Sequence, residues 1–267
     1  MLKEEEKLRE LLEKLVKGQI SIDEAERLLK ILAIEEVGDL ARIDMNREFR
    51  KGIPEVIFAD GKEPDEVAEI ALGMLNEKGR AIISRALKEQ ISAVEKAAPK
   101  DAFLQVNDKA RIAVIKKEGF KVKRTGGKVG ILTAGTSDIP VAEEARVIAE
   151  EMGCEVITAY DVGVAGIHRL FSPLKKMIEK DVDVIIVVAG REGALPSVVT
   201  GMVDVPIIAV PTSIGYGFGE KGLSALMAML QACPLGLAVV NIDGGIAAGA
   251  VATLIANRVA KFKRHSR

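Results

Sequence analysis

The stretch DVIIVVAGREGALPS, residues 183–197, runs six consecutive apolar residues into a loop of glycine and charge. A short, continuous, β-branched run reads as a strand buried on both faces, and Pro196 fits the first turn of a following helix. Four other stretches share the plan: KVGILTA (128–134), CEVITAY (154–160), VPIIAV (205–210) and GLAVVNI (236–242). Helices are expected to start near 140, 167, 193, 219 and 245. This alternation predicts an α/β fold, a parallel sheet covered by helices on both faces in three layers.

Each of these strands leads into small or polar residues: GTSD at 135–138, YDVG at 160–163, AGREGALPS at 189–197, PTSIGYG at 211–217 and DGG at 243–245. Ligands of open α/β sheets bind outside the carboxyl ends of the strands, so the five segments are expected to converge on one pocket. In GTSD, the backbone N–H groups after Gly135 and the hydroxyls of Thr136 and Ser137 open a helix, an arrangement that attracts anions, and Asp138 follows. Neither a GxxxxGK[ST] loop nor a GxGxxG fingerprint follows this strand.

Outward from this half the texture changes. The basic, glycine-broken KVKRTGGKVGIL (121–132) marks a domain boundary near 125, giving domains 1–125 and 126–267. At the start, Leu8, Leu11, Leu12 and Leu15 make one apolar stripe on a charged helix. A second helix follows, with Ser21 as N-cap and Glu24 completing a capping box, so the two form a helical hairpin. PEVIFADGKEPDEVAEIALGML, GRAIISRALKEQISAVEK and ARIAVIKKEG then supply strands and helices of a small α/β domain.

Composition excludes several classes. The chain has 267 residues, 48% of them apolar, with 38 Lys and Arg against 39 Asp and Glu. That balance gives no field for nucleic acid or an anionic membrane. No apolar run reaches the roughly 18 to 20 residues of a membrane span, and the first residues do not read as a targeting segment. Two cysteines, Cys154 and Cys233, without a CxxC pair argue against a disulfide framework or zinc cage, so a reducing cytoplasm is expected. Cys233, between a helix-like run and a strand, reads either as core filling or as a reagent.

Two single residues stand out. Glu192, in a glycine-flanked loop after a buried strand, is expected to be buried enough to work as a base. His168, one of two histidines, suits proton transfer near neutrality. His265 lies in a basic tail.

GTSD is similar to the GSxSD turn of the purine-pathway aminoimidazole-ribonucleotide carboxylases and mutases, and AGIHRLFSP to their SAHRTP segment. AGREGALPSVVTG and GEKGLSALMAMLQACPLGLAVVNIDGG extend the likeness over about 126–265. REFRKGIPEVIFADGK (47–62) resembles the RxxRxGxPEVI stretch of the LarB family. GTSDIPVAEEA, YDVGVAGIHRL, EGALPSVV, AVPTSIGYG and VVNID resemble that family too. The chain departs from its pattern at Arg191 (Met), Gly244 (Asn) and near Asn46 (His).

The resemblance implies a flavodoxin-like carboxylase domain, and a homo-octamer. It implies carboxylation of the pyridinium C5 of nicotinic acid adenine dinucleotide with CO₂ or bicarbonate as co-substrate. Hydrolysis of the phosphoanhydride then gives pyridinium-3,5-biscarboxylic acid mononucleotide and AMP, the first step of nickel-pincer nucleotide cofactor biosynthesis. Cys233 is the implied nucleophile, with Glu192 and His168 moving protons. Substrate binding is assigned to Gly135, Thr136, Ser137, Asp138, Arg169, Gly190, Arg191, Thr212, Ser213, Tyr216, Asn241 and Asp243. Arg47 and Arg50 are candidates from the N-terminal match. No motif identifies a metal, though anhydride cleavage is a reaction that Mg²⁺ assists. An aminoimidazole-ribonucleotide carboxylase or mutase, and a nucleotide-binding regulator without turnover, stay open as alternatives.

Overall fold

A computed structural model describes residues 2–35, 48 and 51–265. Arg47, Arg50 and Asn46 lie outside the described residues. The chain divides into two compact units, residues 1–55 and 56–267.

In the first unit, α1 (Leu2–Val16) and α2 (Ile22–Glu35) pack together as the expected hairpin. The Glu24 N–H donates to Ser21 Oγ at 3.1 Å, the N-cap bond read from the sequence.

The second unit holds two sheets, one on each side of the crossing near residue 125. The first contains β1 (Val56–Phe58), β2 (Arg80–Ser84), β3 (Ala102–Asn107) and β4 (Ile112–Lys117) in the order β1-β2-β4-β3. β1 pairs with β2 in parallel, and the other pairings are antiparallel. The helices α3 (Pro64–Lys78) and α4 (Lys88–Ala97) bury Val67, Ala71, Leu75 and Val94 against Ile57, Ile83 and Ile115. The reading of the sequence missed β3: as an edge strand it alternates, and Phe103 is 63% exposed.

The second sheet is wholly parallel: β5 (Lys128–Thr133), β6 (Glu155–Ala159), β7 (Val184–Ala189), β8 (Ile207–Pro211) and β9 (Leu237–Val239), in the order β6-β5-β7-β8-β9. α5 (Ile139–Glu151) and α9 (Gly245–His265) cover one face, burying Ala142, Ala145, Ala252 and Ala256 on Ile131 and Ile186. α6 (His168–Glu179), α7 (Leu195–Thr200) and α8 (Leu223–Leu230) cover the other, where Leu170, Leu174, Leu195 and Met229 meet Leu132, Ile185 and Val187. The three-layer, flavodoxin-like expectation holds, and every residue of β7 is buried because both of its faces are covered. Four helices begin within two residues of the expected places. α8 starts four residues late because Gly217–Gly222 first form a 3-10 turn.

The two sheets meet along α5. Arg80 and Ser84 stand on one face of β2, four residues apart, while Glu151 and Glu144 stand two turns apart on α5. Arg80 Nη1 donates to Glu151 Oε2 at 3.0 Å, and Ser84 Oγ donates to Glu144 Oε1 at 2.9 Å. Among the described residues, no helix is long and apolar enough to cross a membrane.

Candidate functional site

The strand order reverses between β5 and β7, which leave in opposite directions across the sheet. At that point the loops beyond their carboxyl ends separate and leave a crevice. A cavity of about 270 Å³ lies there, lined by Gly135, Ser137, Asp138, Asp161, Arg169, Gly190, Arg191, Glu192 and Ile214 among others. The turns after β5, β6, β7 and β8 thus converge, while the fifth expected segment, DGG at 243–245, does not line this cavity.

Asp138 anchors this pocket from beneath. It is 4% exposed, with Oδ2 accepting the Gly135 N–H at 2.9 Å and Oδ1 accepting the Thr212 hydroxyl at 2.7 Å. Burial pushes its carboxyl above the ordinary range, against the hydrogen bonds from Thr212, Gly135 and Gly190, and the nearby Asp243 charge pushes the same way. Assigned above to substrate binding, Asp138 has both oxygens engaged by protein groups. It ties the turn after β5 to the end of β8. Gly190 completes the tie, since a Cβ there would lie 2.4 Å from Ile214 O and 2.6 Å from Thr212 Oγ1.

In the loops that follow strands of the second sheet, three charged residues sit at positive φ: Asp161 at 59°, two residues after β6, Arg191 at 53°, two after β7, and Asp243 at 54°, four after β9. Such backbone is costly for residues with a Cβ and gathers at functional sites. Asp161 pairs with Arg169 across the pocket wall. It was visible only as part of the polar cluster YDVG, without a role. Ser137 and Thr136 are exposed on the 3-10 turn Thr136–Asp138 that leads into α5, and the Asp138 N–H closes the turn on Gly135 O at 3.2 Å.

Other expected residues divide. Glu192 lines the pocket but is exposed, so the burial expected of it is absent: the loop lifts it to the rim. His168 is the first residue of α6, exposed, beside Arg169. Ser213 donates its N–H to Asp243 Oδ1 at 2.8 Å, while Asn241 Oδ1 accepts the N–H of Ile242 at 2.9 Å. The end of β9 is thereby joined to the loop after β8. Tyr216 lies exposed on the same loop, paired with Arg191. Among the described residues, no group of three or more His, Cys, Asp or Glu side chains is arranged to hold a metal ion.

Cys233 is not brought to this pocket within one chain. α8 begins beside the site, where a Cβ on Gly222 would lie 2.6 Å from Thr212 O, and runs eight residues, about 12 Å, to the opposite edge of the sheet. There Gly236 O accepts the N–H of Ile207, the first residue of β8. Cys233 lies in the intervening turn and is exposed. Cys154 is the buried cysteine: its thiol donates to Asn257 Oδ1 at 3.3 Å, and burial pushes its pKa up to about 11.

Fold and pocket together define a doubly wound α/β protein with a crevice at its strand-order reversal. The chain belongs to the AIR (aminoimidazole ribonucleotide) carboxylase family, whose description matches residues 128–265, and carries a LarB/PurE-like N-terminal domain at residues 34–117. It is 49% identical over 251 residues to a protein of Methanocaldococcus jannaschii described as uncharacterized, covering 93% of this chain and 96% of that one. It is also 29% identical over 146 residues to the N5-carboxyaminoimidazole ribonucleotide mutase of Thermotoga maritima, covering 51% of this chain and 83% of the mutase. With the mutase of Pyrococcus horikoshii the identity is 31% over 118 residues, covering 43% and 62%.

Proposed function

We propose that the protein carboxylates C5 of the pyridinium ring of nicotinic acid adenine dinucleotide, with CO₂ or bicarbonate as co-substrate. It then cleaves the phosphoanhydride to give pyridinium-3,5-biscarboxylic acid mononucleotide and AMP. The observation that carries this reading is the exposure of Cys233. A cysteine kept as core filling would be buried, as Cys154 is.

The chemistry requires a nucleophile. CO₂ is an electrophile and a pyridinium carbon is electron-poor, so the two do not join directly. A thiolate that adds to the ring forms a C–S bond and neutralises the ring nitrogen, leaving an enamine whose C5 attacks CO₂. A base then takes the C5 proton, the C–S bond breaks, and the departing thiolate restores the aromatic ring. Water attacking the anhydride phosphorus releases AMP. Glu192, on the pocket rim, is the base in this reading, and His168, the neighbour of the pocket-lining Arg169 in sequence, relays protons. Ser137, the N–H groups of its turn and Arg169 take the phosphate beside the ring.

Cys233 and the pocket lie at opposite edges of one sheet, so the reading includes an assembly of copies, a homo-octamer by resemblance. Leu223, Met227 and Leu230 form an exposed stripe along α8 at spacings of four and three, and Leu235 beside Cys233 is 95% exposed. A neighbouring copy that covers this stripe carries its own Cys233 to the pocket.

The likeness to the curated mutases favours a second reading, action on an aminoimidazole ribonucleotide. That enamine-like substrate attacks CO₂ unaided and needs no thiol. The test is incubation with nicotinic acid adenine dinucleotide and ¹³C-bicarbonate, followed by mass analysis of the small molecules. Label in a pyridinium product, with AMP released, is expected. Neither label nor AMP overturns the proposal.

A further inference from the structure

Two guanidinium groups line the pocket, and they are held differently. Arg169 is paired with Asp161, whereas Arg191 pairs with no carboxylate among the described residues. Its guanidinium lies 4.5 Å from the centroid of the Tyr216 ring, and Nη2 donates to the Tyr216 hydroxyl at 2.7 Å. The backbone brings the two together: Arg191 stands at φ 53°, and its N–H donates to Ile214 O at 2.9 Å. A planar cation is thus parked on the face of an aromatic ring at the pocket's mouth, without a carboxylate partner among the described residues.

A planar cation on an aromatic face is also what a pyridinium ring would offer Tyr216. Both cannot use that face at once. We infer that Tyr216 is the recognition face for a cationic aromatic ring and that Arg191 holds its place in the empty site. When a pyridinium nucleotide enters, Arg191 leaves Tyr216 and turns its charge to the ligand's phosphate, beside Arg169 and Ser137 in the same cavity. This rests on the pyridinium reading above and adds to it an exchange of partners. Since Arg191 cannot serve ring and phosphate together, an anion in the pocket frees Tyr216. Ring and phosphate binding are therefore positively coupled, by the same factor in either direction.

The test uses the full chain, N-methylnicotinamide as a pyridinium with no anionic group, and inorganic phosphate as the anion. Equilibrium dialysis of ¹⁴C-labelled N-methylnicotinamide follows the titration in every variant, including those that lack Tyr216. In the unaltered protein, phosphate is expected to tighten N-methylnicotinamide binding roughly two- to fivefold, the size of an exposed cation–π contact. Arg191→Ala should bind N-methylnicotinamide about that much more tightly than the unaltered protein, with no response to phosphate. Tyr216→Leu should bind it more weakly, while Tyr216→Phe, which keeps the aromatic face, should not. Equal affinity in the unaltered protein and Arg191→Ala, a phosphate response that survives in Arg191→Ala, or no binding by any variant overturns the inference. A protein that passes this test but incorporates no label has lost only the carboxylation reading. One that carboxylates and fails it has lost only the exchange.

Discussion

The Thr212 hydroxyl donates to Asp138 Oδ1 at 2.7 Å, so one buried hydrogen bond holds the end of β8 to the turn that opens α5. Both partners are almost wholly shielded from water, Thr212 at 0% and Asp138 at 4% exposure. The pocket's floor depends on that bond. Thr212→Val keeps the shape and removes the donor, leaving a buried carboxylate with one partner fewer, at a cost of about 1–3 kcal/mol. The bond favours the charged carboxyl, so the loss should be largest near neutral pH and shrink on acidification. Urea midpoints of Thr212→Val and Thr212→Ser check this. The serine variant should stay near the unaltered protein, and an unchanged midpoint for valine would contradict it.

Glu144 gives a pH signature where the two sheets meet. Burial raises its carboxyl above the ordinary value of 4.5, opposed by the hydrogen bond from Ser84 and the charges of Arg85 and Arg111, while Asp243 adds to the rise. A raised folded value means that the folded state holds the proton more tightly than the unfolded chain. Its contribution to stability is therefore complete below about pH 4.5 and is lost as pH rises through the folded value. Glu144→Gln keeps an oxygen for Ser84 and does not ionise. Its stability relative to the unaltered protein should climb as pH rises from 4.5. A difference that is flat or falls with pH, in urea titrations across that window, would count against this account.

The distance between Cys233 and the pocket makes a prediction about mixtures. Cys233→Ala and Glu192→Gln should each lack carboxylation when purified alone. Subunits of the two variants assembled together at equal amounts should recover about a quarter of the activity, since that share of sites pairs an intact pocket with an intact neighbouring thiol. No recovery from a verified mixed assembly would show that the two residues do not act across copies.

The strands of the second half were legible because β7 and β8 are buried on both faces and so spell unbroken β-branched runs. The edge strand β3 alternates half-buried and exposed residues and gave no such signal. Convergence of the loops was legible too, because parallel strands put their carboxyl ends on one side. The place of Cys233 was open to the same reasoning: a helix-to-strand corner lies at the opposite edge from the strand-to-helix loops. Pairings such as Asp138 with Thr212, or Ser84 with Glu144, join residues 74 and 60 positions apart and depend on packing that no local pattern spells out. The exposure of Glu192 likewise follows from how far its loop rises above the sheet.

The central claim, carboxylation of a pyridinium through Cys233, is tested most directly by comparing the unaltered protein with Cys233→Ala. Both are incubated with ¹³C-bicarbonate and either nicotinic acid adenine dinucleotide or aminoimidazole ribonucleotide. The account predicts label in the pyridinium product for the unaltered protein and none for Cys233→Ala, with the aminoimidazole unlabelled by both. Label in the aminoimidazole product that persists in Cys233→Ala, with none in the pyridinium, would contradict it.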